Sequence, residues 1–289
     1  MANVAVSLAL AMAEARKRCK SDKFYLAEQL GFDFVWETHA ELFANYIKYK
    51  EDVPWGEQST NKDVMVLWSR GHYKTTSIIV EIIQAILNYP NIRILIMQGS
   101  LKVTQTLLKQ VVAHFTGEAE GSRLMELFPE FCGEKEEDGS WKFGKKALNA
   151  TAAQFTTPAR TRKQLAQATV TVASPKSVKT GQHYDIGFFD DLVNDQNYRN
   201  PDQLEKVRED FTLAQALIDP GGYRFVTGTR YAFGDLYEQV LRWQADSGKW
   251  IISIKDCWTD ESANLPDEQK IPRFPRYTMR SGQIGGFTT

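Results

Sequence analysis

One pattern dominates this chain of 289 residues: short aliphatic runs, each followed by a helical period. Val64 to Trp68, Ile92 to Met97, Ala168 to Ala173, Ile186 to Asp190 and Tyr223 to Thr227 read as strands buried on both faces, because they are too apolar to show one face to water. Trp250 to Ile254 is a sixth candidate. Between these runs, Thr75 to Asn88, Leu101 to Phe115, Asp202 to Ile218 and Asp235 to Asp246 carry apolar residues at three- and four-residue spacing, the mark of a helix with one buried stripe. Parallel strands need long crossover connections, and helices of this length supply them. The pattern therefore predicts an α/β fold: a mainly parallel sheet sandwiched by helices, with the chemistry at the carboxyl ends of the strands.

Composition narrows the class. With 43% hydrophobic and 25% charged residues, disordered and coiled-coil readings fall away. Cys19, Cys132 and Cys257 lie too far apart for a disulfide framework or a zinc pattern, which fits a reducing, intracellular setting. The four histidines, His39, His72, His114 and His183, show no metal-ligand spacing. The apolar run from Val4 to Ala13 is too short to span a bilayer, and its basic residues follow it instead of preceding it, so it is neither membrane span nor secretory signal. It reads as a helix that either packs on its own domain or docks a partner. Gly133 to Gly144 is polar and Gly-flanked, a surface hairpin or loop. Ser262 to Thr289 is rich in Pro, Gly and Arg and reads as a linker.

Three strand ends carry chemistry. Val64 to Trp68 runs into Ser69-Arg70-Gly71-His72-Tyr73-Lys74-Thr75-Thr76 and then a helix. In such a loop the backbone N–H groups and the free donors of the helix start can cradle phosphates, a Lys neutralises the terminal ones, and the next hydroxyl ligates Mg2+. Lys74 and Thr75 hold those positions; Trp68 and Tyr73 stand where the usual pattern has Gly. The strand Tyr184 to Asp190 is apolar and ends in adjacent carboxylates, Asp190 and Asp191. Asp190 suits a metal held through its water shell, and Asp191 suits orientation and deprotonation of an attacking water. The alternative for the pair is a helix cap or turn. The third strand ends in Thr227-Gly228-Thr229, small polar groups able to sense a terminal phosphate.

Taken as a set, Ser69 to Thr76, the stretch from Thr180 through Asp190 and Asp191 to Asn194, and Thr227-Gly228-Thr229-Arg230 resemble the large terminase subunit of tailed bacteriophages, across nearly the whole chain. The resemblance implies an ASCE-type P-loop NTPase that hydrolyses ATP with Mg2+ to drive double-stranded DNA into a procapsid. It implies nucleotide-loop roles for Ser69, Arg70, Gly71, His72, Tyr73, Lys74, Thr75 and Thr76, a metal-holding role for Asp190 and Thr75, and catalytic roles for Asp191, Lys74 and Arg70. Thr227, Gly228 and Thr229 become the coupling motif, and Trp36 and His39 the candidates for adenine contact. It divides the chain into a helical, adenine-side segment (1–60), the ATPase core (61–261) and a linker (262–289) toward a nuclease domain expected to be absent here. It implies a homo-oligomeric ring on the portal, a small terminase subunit as partner, and work in the host cytoplasm with no membrane. Two positions depart from the family: Tyr73 stands where many members have Gly, and Asp191 where many have the longer Glu. A helicase-like ATPase and a non-hydrolysing scaffold bridging portal and DNA are the alternatives; the former would need a second motor fold, for which few residues remain after Ile254.

Charge distribution bears on the DNA. The whole chain carries -1, yet Gly139 to Tyr184 contains no acidic residue and eight basic ones. Within it Arg160, Arg162, Lys163 and Lys176 are the expected phosphate-backbone contacts; a solvated basic face, or one meeting an acidic neighbour, is the alternative. A stabilising cation supplied in trans by a ring neighbour, which the resemblance also implies, would be Arg160, Arg162 or Lys179.

Overall fold

The computed structural model describes residues 2–50, 52–58, 63–177, 181–195, 197–231, 233–279, 282 and 284–287, without the side chains of 2–5 and 176. In chain order the elements are α1 (Ala2–Ser21), α2 (Lys23–Gln29), α3 (Trp36–Ala44), α4 (Trp55–Gln58), β1 (Asp63–Trp68), α5 (Lys74–Asn88), β2 (Ile94–Gln98), α6 (Leu101–Thr116), the short α7 (Leu124–Leu127) and α8 (Pro129–Cys132), and the hairpin β3 (Gly133–Lys135) and β4 (Trp141–Phe143). Then follow β5 (Gln154–Phe155), β6 (Val170–Ala173), β7 (Tyr184–Asp190), α9 (Pro201–Gln215), β8 (Ile218–Gly228), α10 (Leu236–Ser247), β9 (Trp250–Lys255), β10 (Tyr277–Thr278) and β11 (Ile284–Gly285).

Seven strands form the main sheet in the order β5-β6-β2-β7-β8-β1-β9, with every neighbouring pair parallel except β5 and β6. Alternation along each strand feeds two cores, as a period of two requires. Val64, Val66, Ile94, Ile96, Ile186, Phe188 and Phe225 face the layer of α1, α2, α3, α5 and α6. Met65, Leu67, Leu95, Met97, Phe189 and Val226 face α9 and α10. Phe188 and Phe225 stack at 5.3 Å across β7 and β8; burying each ring contributes about 2 kcal/mol. The helices start and stop where local chemistry allows. Ser100, Asn200 and Asp235 accept backbone N–H bonds at the first turns of α6, α9 and α10, and Gly117 and Gly248 end α6 and α10 in the left-handed conformation.

Three expectations change. The helical period over Asp202 to Ile218 ends at Gln215, and β8 begins at Ile218. Leu217 and Ile218 fall at helical spacing from Ala214, but Asp219-Pro220-Gly221-Gly222 makes an irregularity at which Ile218 already pairs with Tyr184. The N-terminal helix packs on its own domain only through its second half. Cys19 is buried and Arg16 donates to the Leu127 carbonyl (2.8 Å), whereas Val6, Leu8 and Leu10 are exposed. The stretch expected as a linker folds back on the body: Phe274 is fully buried, the Tyr277 hydroxyl donates to the Asp33 carbonyl (2.9 Å), and Thr38 donates to that of Arg273 (3.2 Å). No helix among the described residues is long and apolar enough to cross a membrane.

Candidate functional site

The site lies at the carboxyl ends of β1, β7 and β8, where β8 intervenes between the strand of the loop and the strand of the carboxylates. The loop 69–73 reverses between β1 and α5 using left-handed backbone at Gly71 (φ 81°) and Tyr73 (φ 55°). Glycine takes such angles freely and tyrosine does not, which is the physical content of the usual Gly at position 73. Tyr73 is the N-cap of α5 but makes no side-chain cap bond. The first N–H groups of this 15-residue helix, including those of Lys74, Thr75 and Thr76, therefore have no helical acceptor and lie at its positive end. Lys74 is buried, and its Nζ donates to the carbonyls of Trp68 (2.6 Å) and Ser69 (3.1 Å). Burial pulls its ammonium below the usual lysine range, with the negative Asp191 and Asp190 opposing that pull.

Asp190 is the hub. It is fully buried at the end of β7, and its carboxylate accepts three hydrogen bonds: Thr75 Oγ1 on Oδ2 (2.8 Å), Gln98 Nε2 on Oδ2 (2.8 Å) and Thr227 Oγ1 on Oδ1 (2.6 Å). The register explains the meeting. Gln98, Asp190 and Thr227 are direct ladder partners on β2, β7 and β8, so one row of the sheet carries all three side chains to the same face. The loop helix, the carboxylate strand and the strand of Thr227 are thus joined through one carboxylate. Gly228, next along β8, lies flush against the Tyr237 hydroxyl, where any Cβ would collide. Thr229 follows, half-buried.

Asp191 turns out of the strand with left-handed backbone (φ 45°), and its N–H donates to the Thr227 carbonyl (3.0 Å). Its side chain keeps an exposed edge. Surrounding protein and then the negative Asp190 push its carboxyl up to about 6, while Lys74 and Arg70 pull it down. A carboxylate with that value can take a proton near neutral pH. Arg70 is exposed, paired with Asp195 at 3.4 Å and set 5.3 Å over the Tyr231 ring, so three loops after β1, β7 and β8 meet at its guanidinium.

On the other side of the loop stands an aromatic cluster. His39 stacks on Tyr73 (5.6 Å, 12°), and Phe34 and Phe274 meet both rings edge-on. His39 Nδ1 lies 2.9 Å from the Val35 carbonyl, and burial holds its pKa down to about 4, so the ring is neutral at pH 7. Of the two adenine-side candidates only His39 reaches the loop. Trp36 is 63% exposed and its ring contact is with Phe24 (4.7 Å). His72 also departs from expectation: its side chain is buried and stacks on Phe287 (5.3 Å, 26°), so only its backbone remains available to the cradle. Phe287 also covers Gly71, where a Cβ would come within 2.5 Å of its ring.

The basic segment is less uniform than its composition. Lys142 and Lys145 pair with Glu136 (3.7 Å) and Glu118 (3.5 Å). Arg160 does not stand open as its composition suggests: it is 7% exposed, and its two terminal nitrogens donate to the carbonyls of Gln167 (2.5 Å) and Ile92 (3.2 Å). Its Nε–H is buried as well, so little of its charge reaches the surface. Arg162 and Lys163 are exposed. Lys179 and the side chain of Lys176 lie outside the described residues.

Sequence reasoning missed Gln98, Phe274 and Phe287. A polar residue ending the apolar run Ile94–Met97 was the available signal for Gln98; nothing local marks the two rings. Thr75 and Asp190 offer hard oxygen donors 2.8 Å apart beside a second carboxylate, and Gln98 Oε1 is a buried acceptor without a partner among the described residues. That donor set fits a hydrated Mg2+ arriving with a nucleotide. No family model and no curated protein matches the chain. Among solved structures the chain is similar to the large terminase ATPase domain of Thermus phage P74-26, at 16% identity over 86% of this chain and 94% of that one with a TM-score of 0.44, and to an arginine-to-alanine mutant of that domain, at 18% identity over 75% and 73% with a TM-score of 0.40.

Proposed function

We propose that this chain is the ATPase motor domain of a viral DNA-packaging terminase, hydrolysing ATP to move double-stranded DNA into a procapsid. The observation that carries the reading is the bonding of Thr75, Asp190 and Thr227 through one buried carboxylate, which ties phosphate loop, acidic doublet and third strand into a single site. The triphosphate lies on the loop backbone and the start of α5, whose free N–H groups and positive end suit it. Lys74 releases its two carbonyls to neutralise the terminal phosphates, Asp191 orients and deprotonates the attacking water, and Arg70 adds positive charge at the mouth. Thr75 and Asp190 hold the hydrated Mg2+, which when bound offsets negative charge on the phosphate oxygens. Loss of the terminal phosphate changes the demand on Asp190, and Thr227 passes that change to Gly228 and Thr229.

Arg162 and Lys163 are the duplex-facing cations in this reading, and chains assemble as a ring on the portal with the small terminase subunit as partner. Arg162 or Lys179 supplies charge to the neighbouring site. A non-hydrolysing scaffold is favoured by a different observation: the Lys74 ammonium is engaged with loop carbonyls and Phe287 covers Gly71. Thermal melting with and without ATP and Mg2+ separates the two. The motor reading expects the ligand to raise the melting temperature of the wild type but not of Lys74→Ala, and expects Asp191→Ala to bind ATP without hydrolysing it. Equal shifts in wild type and Lys74→Ala remove the loop assignment.

A further inference from the structure

Gln98 sits at the end of β2, opposite Asp190 in the ladder, and is 4% exposed. Its backbone N–H donates to Thr104 Oγ1 (3.2 Å), whose single proton is shared between the carbonyls of Ser100 (2.9 Å) and Ala173 (3.2 Å), so the backbone of Gln98 is tied to the first turn of α6 and the end of β6. The next residue, Gly99, is pressed against the side chain of Asn194 and the Asp191 carbonyl, with no room for a Cβ. The Gln98 amide can point in only one sense: Nε2 must meet the carboxylate, because the carbonyl oxygen there would face a negative acceptor. The consequence is an Oε1 that is buried and has no partner among the described residues. Such an acceptor is costly unless something supplies a proton donor.

We infer that Gln98 is a positioning residue for the metal of the nucleotide site, its N–H fixing the plane of the Asp190 carboxylate and its carbonyl oxygen kept free for a water of a hydrated divalent cation. The inference rests on the proposed nucleotide function and adds to it a fourth strand: β2 joins β1, β7 and β8 in building the site. Removal of a hydrogen-bond partner behind a metal-holding carboxylate loosens the carboxylate, and metal affinity falls by about 10- to 100-fold. Binding of the triphosphate itself to the loop does not pass through Gln98.

The test is calorimetric titration of the full chain with a non-hydrolysable ATP analogue, first without metal and then across a Mg2+ series. Gln98→Met keeps the length and removes both amide atoms. It is expected to raise the Mg2+ concentration for half-saturation roughly tenfold while leaving the metal-free affinity unchanged. Gln98→Asn keeps the amide but is one methylene too short to reach the Asp190 carboxylate, and is expected to raise it to a similar extent; it carries the test if the Met variant fails to fold. A wild-type Mg2+ curve in a folded variant overturns the inference, and so does an equal weakening with and without metal. Absence of analogue binding by the wild type in either condition overturns instead the nucleotide reading beneath it.

Discussion

Replacing Tyr73 by alanine and by glycine measures the backbone at the heart of the loop. Both substitutions remove the same side chain, with its stack on His39 and its edge contacts to Phe34 and Phe274. Aromatic pairs contribute about 0.5–1.5 kcal/mol each beyond burial, and the ring is only half-buried, so both variants should fall below the wild type by about 1–3 kcal/mol. They differ from each other in the backbone alone. At φ 55° an L-residue with a Cβ carries roughly 1–2 kcal/mol of strain that glycine escapes. Glycine gives back about 0.4–1 kcal/mol through its freer unfolded chain. The balance makes the glycine variant the more stable by about 0.5–1 kcal/mol, or roughly 1–3 °C in melting temperature. In an ordinary helical turn the order reverses, alanine leading by about 1 kcal/mol. Differential scanning calorimetry of the two variants side by side gives the sign directly. An alanine variant as stable as the glycine one, or more so, refutes the left-handed loop and with it the account of why glycine is the usual residue there.

The remaining expectations concern charge. Because the Asp191 carboxyl titrates at about 6, hydrolysis should rise as pH climbs through that value and level off above it, and Asp191→Asn should be inactive at every pH; a wild-type rate independent of pH between 5 and 8 counts against Asp191 as the base. The folded value lies above the ordinary one, so the folded chain holds this proton more tightly than the unfolded chain. Ionisation of the group therefore opposes folding as pH rises from about 4 to about 6, and Asp191→Asn should melt higher than the wild type at pH 8. Arg160→Ala strands one buried and one part-buried carbonyl and should cost about 1–3 kcal/mol by urea unfolding, with no change in duplex affinity beyond that of the folded fraction. Charge reversal at Arg162 and Lys163 should do the opposite, leaving stability intact and flattening the salt dependence of duplex binding by roughly two in logarithmic slope; an unchanged slope moves the DNA surface elsewhere.

Strands were legible because burial on both faces leaves an aliphatic run that few other environments tolerate; β1, β7 and β9 lie within two residues of their expected limits. The loop and the acidic doublet were legible for a related reason: Lys74-Thr75 after one strand and Asp190-Asp191 after another are polar groups where packing alone would not put them. The enclosure of Arg160 is not legible, because a row of basic residues says nothing about which guanidinium the fold encloses. Gln98 was missed because its meaning depends on a strand neighbour 92 residues away. The residues after Ser262 looked like a linker because Pro and Gly remove any period, yet Phe274 and Phe287 find partners in the loop and in α3.

Local sequence determined the elements of this protein and the kinds of chemistry at their ends, because hydrophobic period, helix caps and strand-end polar groups act within a few residues of one another. Which of those ends share one site was decided only by the tertiary structure. The strand order puts β8 between β1 and β7 and sets Gln98, Asp190 and Thr227 in one row, and that order follows from how the helices cover the two faces of the sheet, a matter of packing between segments far apart in the chain.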